Sequence, residues 1–216
     1  MYIRSPKRGR TLEEGLVDKF LLLYLINNVE EGIGDTKIQK LAFLSEFNMN
    51  LQGRKGFNYN FIKMPYGPFS PDLDKDIKDL EKCDLITGYA HTITPKGIQI
   101  LKIFHHLIEN NQHIIDKIRD INRKYSRIPR NELVDYVHNL PNPVYPSITI
   151  DKSRHGSYLL KRIRLAFARR AFKIDESDIA SLEIFFDPQT LGSVINSLKE
   201  ANTKPSVKLS DVLEIV

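Results

Sequence analysis

The sequence predicts an α+β fold that is mainly helical. A winged-helix-like N-terminal domain containing a long helix is expected over residues 1–150, with a helical C-terminal extension over 151–216. Three observations predict it. Apolar residues recur at helical spacing through most of the chain. Only short runs, around Phe57–Tyr59–Phe61 and around Thr92–Ile93–Thr94, carry clear strand character, and the end, residues 206–216, has strand or short-helix character. A Pro-rich stretch (Pro141, Pro143, Pro146) followed by a sharp change in charge separates the two parts.

The elements follow in order. Arg4, Lys7, Arg8 and Arg10, with no acid among the first ten residues, read as a mobile basic arm. Residues 12–28 read as a mostly buried helix, with Leu16, Phe20, Leu23 and Asn27 on one face. After a Gly-rich break, Asp35 or Thr36 caps a second helix over 36–51, with Ile38, Leu41, Leu44 and Leu51 inward. Phe57, Tyr59 and Phe61 alternate with Asn58, Asn60 and Lys63, which predicts a half-exposed strand. Pro65 and Pro68 cannot donate to a ladder, so that strand is expected to end there, with Tyr66 and Phe69 packing across the turn. Gly67 supplies an unusual backbone angle. Ser70 caps a helix that Pro71 and Asp72 begin, and Leu73, Ile77 and Leu80 form its inward stripe. Residues 85–94 read as a hairpin or wing. Thr94-Pro95 then opens a single helix over 95–125, roughly 46 Å long, whose Leu101, Phe104, Ile108, Asn111, Ile115, Ile118, Asn122 and Tyr125 keep 3-4 spacing. A short helix over 131–139 and a rigid Pro linker follow. A basic helix over 157–173 comes next, then a last helix from Asp187-Pro188 to about Ala201.

Composition bounds the function. The longest apolar run, residues 20–26, is about a third of the ~20 residues that span a bilayer, so no membrane span is expected. No charged-then-apolar leader is visible, and the cytoplasm is the expected compartment. Cys83 is the single cysteine, which leaves no internal disulfide and no Cys-based zinc site. Residues 152–173 carry eight bases and no acid, whereas residues 174–216 carry eight acids against three lysines. That asymmetry points to a polyanion site or to neutralisation within the chain.

Catalytic patterns are sparse. The "GIGDTK" stretch lacks the spacing of a nucleotide loop and reads as a turn and cap. His105, Glu109 and His113 share a face if the helix is continuous and would then offer a metal site; a solvated polar face explains them as well. His155 and Ser157 have no partner pattern. The six acids between Asp72 and Asp84 are interleaved with three lysines, as on a solvated helix face. No catalytic residue, metal ligand or cofactor is assigned, and the expectation is a protein that is not an enzyme. In a winged helix the segment before the wing reads DNA, but here it is net −3 and would be repelled by phosphates. The basic segment, with Arg162, Arg164, Arg169 and Arg170, the basic N-terminal arm or the Lys117–Arg130 stretch is the better nucleic-acid candidate; for the basic segment, packing of its apolar side and docking of the acidic tail explain it equally.

"TKIQKLAFL" followed by "YGPFSPDLDKDIKDLEKCDLI" resembles the Panacea domain of SocA-like antitoxins and the related YwgA-like group, as does "ELVDYVHNL" with its later Tyr-Pro. The resemblance covers residues 12–150. It implies a mainly helical domain used for protein contacts, often in toxin–antitoxin pairs, with no catalytic residues. The last thirty residues are also faintly similar to the toxin-wrapping tails of small antitoxins. The leading expectation is therefore a non-enzymatic, antitoxin-like interaction module with a toxin-like protein partner. Its expected contact residues are Tyr66, Pro68 and Phe69, and Val207, Leu209, Val212 and Leu213 in the tail. The alternatives are a DNA-binding winged-helix regulator and a small metal protein or enzyme using His105 and His113. A homodimer through the long helix is a further option.

Overall fold

The computed structural model describes residues 9–29, 32–187, 189 and 193. Helix α1 (Leu12–Asn27) opens at Thr11, whose hydroxyl accepts from the Glu14 amide while the Glu14 carboxylate accepts from the Thr11 amide. From Leu16 to Ile26 every residue except Lys19 is buried, so α1 runs through the core rather than resting one face on it. Helix α2 (Asp35–Leu51) starts at Gly34, which makes no side-chain cap; the expected cap residue Asp35 instead faces the His91 ring, Oδ1 to Nε2 at 2.6 Å. Leu51, expected inward, is exposed.

Strands β1 (Arg54–Lys55), β2 (Phe61–Met64) and β3 (Gly67–Phe69) follow. The expected half-exposed strand is shorter and deeper than its alternation suggested. Phe57, Tyr59 and Phe61 are fully buried, but Asn58 and Lys63 are buried as well. Strand β2 ends before Pro65, as expected, but the chain does not leave the sheet. It reverses after Met64 and returns as β3, with Lys63 opposite Pro68 and Met64 opposite Gly67. Pro68 therefore lies in a strand. It is tolerated because β3 is an edge of the sheet ordered β3-β2-β6, where a missing N–H breaks no outer ladder. Gly67 takes φ +89°, as the tight reversal requires. Helix α3 (Pro71–Lys82) starts as expected: Ser70 Oγ accepts from the Leu73 amide, Pro71 takes the first turn, and Leu73, Ile77 and Leu80 are buried.

Strands β4 (Ile86–Thr87) and β5 (Thr92–Ile93) form the expected hairpin, and Thr94 caps α4 (Pro95–Ile103). The single helix over 95–125 is corrected to three, with α5 (His105–Asn110) and α6 (Gln112–Tyr125) following breaks at Phe104 and Asn111. Asn111 gives the second break a physical cause. It is fully buried, its amide donates to the Leu107 and Lys173 carbonyls, and its side-chain oxygen accepts from the Lys173 amide. The 3-4 stripe still identified the buried positions, including Ile115, Ile118 and Tyr125. A straight rod for pairing with a second copy is absent.

Helix α7 (Arg130–His138) is followed by a closed loop rather than a rigid linker. Ile150 N–H donates to Leu140 O, Asp151 N–H to His138 O, and Asn142 Nδ2 to Ser153 Oγ. The basic helix over 157–173 is likewise corrected. Strand β6 (Tyr158–Leu160) joins β2, strand β7 (Arg170–Ala171) pairs in parallel with β1, and a short 3-10 turn at Leu165–Phe167 lies between them. Leu159, Leu160 and Phe172 are buried here, which anchors the strands instead of one helix face. Helix α8 (Glu176–Phe186), capped by Asp175, packs on α1. The expected Asp187-Pro188 helix lies almost wholly outside the described residues, as do Arg4, Lys7 and Arg8 of the basic arm.

Arg10 is not part of a mobile arm. Its guanidinium donates to Asp18 of α1 at 2.7 Å and to both oxygens of Asp76 of α3 at 2.5 and 3.0 Å, and it lies 5.2 Å from the centre of the Tyr59 ring. The Tyr59 hydroxyl also donates to Asp76, at 2.9 Å. Asp76 is thus a core residue, not a member of a solvated acidic face. Burial pushes the Asp18 carboxyl up to about 7, partly offset by Arg10. Burial alone would lower the Arg10 pKa, but its bond to Asp76 and the charge of Asp18 outweigh it and raise the value. One cation thus bridges two interior carboxyl groups, and the excess negative charge is relieved by the raised pKa of Asp18. Arg10→Met should lower unfolding stability by about 3–5 kcal/mol at neutral pH, because two buried acids lose their partner. Asp18 protonation below about 7 should shrink that loss in acid. Urea titrations at neutral and acidic pH check both, and a loss under about 1 kcal/mol contradicts the clamp.

Candidate functional site

Two segments far apart in sequence meet in one set of buried bonds. Gln39 of α2 faces the backbone of Ser70: its side-chain amide donates to Ser70 O at 3.1 Å, and its oxygen accepts from Ser70 N at 2.9 Å. One turn position on, the Lys40 amine donates to Pro68 O at 2.8 Å. The glutamine acts as a two-point substitute for a neighbouring strand along an edge that would otherwise lack one. Both side chains are about 3% exposed, so these bonds form away from water and fix the hairpin to α2.

A cluster of basic side chains lies under the turn. A side-chain carbon at Gly67 would meet the His138 ring at 3.1 Å and Lys40 Cε at 3.4 Å, so the glycine lets α7, α2 and the hairpin approach. Lys63 Nζ is 3.5 Å from His138 Nε2, and Asp151 sits 3.8 Å from Lys63 and 3.7 Å from His138. Burial, with the charges of Lys63 and Arg130, lowers Lys40 to about 7. Burial also lowers Lys63 and His138.

The outer side of this joint is a groove. A cavity of about 330 Å³ is lined by Thr36, Gln39 and Lys40 from α2 and by Met64, Pro65, Tyr66 and Phe69 from the hairpin, and its accessible lining is almost wholly carbon. A second cavity of about 330 Å³ shares Asp35 and Thr36 with it and is bounded by Lys37, Tyr89 and Arg130, with a more polar lining. Tyr66 does not pack across the turn on Phe69 as expected. It is 62% exposed, with the Arg130 guanidinium 5.2 Å from its ring centre. Tyr89, at the tip of the β4–β5 hairpin, is fully open to solvent.

The expected contact residues therefore divide. Tyr66 and Phe69 line the groove and Pro68 supplies the carbonyl that Lys40 holds. Val207, Leu209, Val212 and Leu213 lie outside the described residues. Arg162 pairs with Glu14 at 2.7 Å and is mostly covered. Arg164, Arg169 and Arg170 are exposed. His105 and Glu109 pair at 3.5 Å on α5, but the break at Asn111 puts His113 on another helix, which removes the continuous metal-binding face. Among the described residues no group of three or more His, Cys, Asp or Glu is placed to hold a metal, and no helix is long and apolar enough to cross a membrane. Gln39, Lys40 and Arg130 were missed. The available signal was two polar residues, Gln39 and Lys40, set between the inward Ile38 and Leu41.

Residues 38–143 match the family model described as antitoxin SocA-like, Panacea domain. No curated protein and no solved structure gives a match. The matched segment contains Gln39, Lys40, the hairpin and Arg130, and so holds the groove nearly entire.

Lys40 makes the joint sensitive to pH. Its folded pKa of about 7 lies below its ordinary 10.5, so between these values the unfolded chain binds more protons. The stability from this group is fully present above about 10.5 and lost as pH falls through about 7. Lys40→Met removes the titration. The stability of wild type relative to K40M should rise steadily from about pH 7 to about pH 10 in urea unfolding, and a pH-independent difference contradicts the assignment.

Proposed function

We propose that this chain, whose residues 38–143 match the family model described as antitoxin SocA-like, Panacea domain, is an antitoxin-like interaction module, acting without catalysis in the cytoplasm, that binds and neutralises a protein partner through the groove between α2 and the β2–β3 hairpin. One observation carries the reading: an exposed aromatic, Tyr66, stands beside an apolar cavity on a hairpin pinned to a core helix. A rigid aromatic next to a preformed cavity is the composition of an interface hot spot, and it loses little entropy on binding. Arg130 over the Tyr66 ring adds a planar donor at the rim. Helix α3 and the β4–β5 hairpin serve in this reading as a scaffold. Helix α3 directs Asp76 into the core and pairs Asp79 with Lys19, which is poor geometry for a phosphate reader.

Co-expression with the protein encoded beside it tests the reading. The full-length chain should rescue growth and co-purify with that neighbour. Tyr66→Ala should weaken the complex by about 2 kcal/mol, roughly thirtyfold in Kd. Its melting temperature should stay near that of wild type, because Tyr66 is solvent-exposed. Failure of any neighbouring protein to associate, or undiminished binding by Y66A, contradicts the proposal.

A further inference from the structure

A second surface is built from the basic segment. Leu165 and Phe167, on the 3-10 turn, are 65% and 72% exposed, and Tyr158 on β6 is 50% exposed. Arg164, Arg169 and Arg170 flank them and are exposed. Solvated apolar side chains set among cations form a surface that lacks its cover. It is not flat. Leu165 and Phe172 border a cavity of about 190 Å³ whose far wall is the first turn and a half of α1, through Glu13, Glu14 and Val17. The volume suits an aliphatic side chain; the charged groups on its lining are Glu13, Glu14 and Lys55, and Lys55 is already paired with Glu14.

The chain itself supplies a segment of matching chemistry. Residues 209–216 carry Leu209, Val212, Leu213 and Ile215 with Asp211 and Glu214 and no base. The end of α8 packs against α1. The Phe186 carbonyl accepts at 3.1 Å from Lys19 Nζ on α1, the helix whose Val17 lines the cavity from another face. Residues 188–208 then intervene, enough chain for roughly 70 Å if extended, so reach is no obstacle.

We propose that residues 209–216 dock in cis on the Tyr158, Leu165 and Phe167 surface, placing an aliphatic side chain in the adjoining cavity and Asp211 and Glu214 against Arg164, Arg169 and Arg170. Residues on one chain meet at a high effective concentration, so even a modest contact keeps the surface covered. The basic segment is then a receptor for the chain's own acidic end, and the partner groove on α2 is left open.

The test uses the full-length chain with a photo-reactive benzophenone side chain in place of the Phe167 ring, irradiated at low protein concentration and mapped by mass spectrometry. The expected product is an intrachain cross-link into residues 205–216. A D211K/E214K double variant should cut its yield roughly three- to tenfold, the scale of two exposed ion pairs turned repulsive, and adding R169E/R170E should restore it. Cross-links that join two chains, that fall elsewhere, or that ignore the charge reversals overturn the proposal. So does salt-sensitive binding of mixed-sequence DNA by the full-length chain that R164Q/R169Q/R170Q abolishes, because the surface would then be free for a polyanion.

Discussion

The bonds from Gln39 and Lys40 to Ser70 and Pro68 are the constraint on which the site depends. An edge strand ending in Pro68-Phe69 has backbone groups with no strand beside them, and so close to the core they need partners. Helix α2 supplies those partners from side chains. The arrangement joins two stretches of sequence that look unrelated, Lys-Ile-Gln-Lys-Leu and Tyr-Gly-Pro-Phe-Ser-Pro. Each is incomplete without the other, which accounts physically for their appearing together. Once the hairpin is fixed, the conformation of Gly67, the cap at Ser70 and the outward pose of Tyr66 follow from it.

Below that joint, the interior tolerates an unusual load of polar groups because they are linked. Arg10 ties α1 to α3, and Asn58 joins the same cluster by donating to Asp18. Lys55 binds Asn58, Glu14 and the Ile163 carbonyl, which connects the N-terminal helix to the basic segment. Glu46 is one of the exceptions, as is the Asn50 amide. Glu46 is fully buried, no hydrogen bond of ordinary geometry reaches either carboxyl oxygen, and burial raises its pKa well above the usual carboxylate range. A neutral carboxyl there avoids the larger cost of an unpaired interior charge.

Much of the framework was legible in the sequence, because it depends on local chemistry. The Ser70-Pro71 and Thr94-Pro95 starts are caps whose partners lie within three residues, and the 3-4 apolar stripes marked buried positions in every helix from α3 to α6. What misled was long-range. Asn111 broke a periodic helix because Lys173 claims its side chain from sixty-two residues away. The basic segment has helical spacing at Leu160, Ile163 and Phe167, but the free edges of β1 and β2 captured it as strands. Of the site, the sequence exposed Tyr66 and Phe69 through their Gly-Pro setting. Gln39, Lys40 and Arg130 are ordinary helix residues until a hairpin is laid against them; the periodicity places Gln39 and Lys40 between inward positions but does not say what covers them.

The central claim is that a hairpin held rigid by α2 presents the partner-binding surface. Amide hydrogen exchange of the chain, free and bound to the protein encoded beside it, tests it most directly. The account predicts that the buried amides around Ser70 are already slow in the free chain, since they close on Gln39. It also predicts that added protection on binding concentrates in residues 34–40 and 64–69. Added protection confined to other segments, with these two unchanged, or fast exchange throughout the free hairpin, would contradict it.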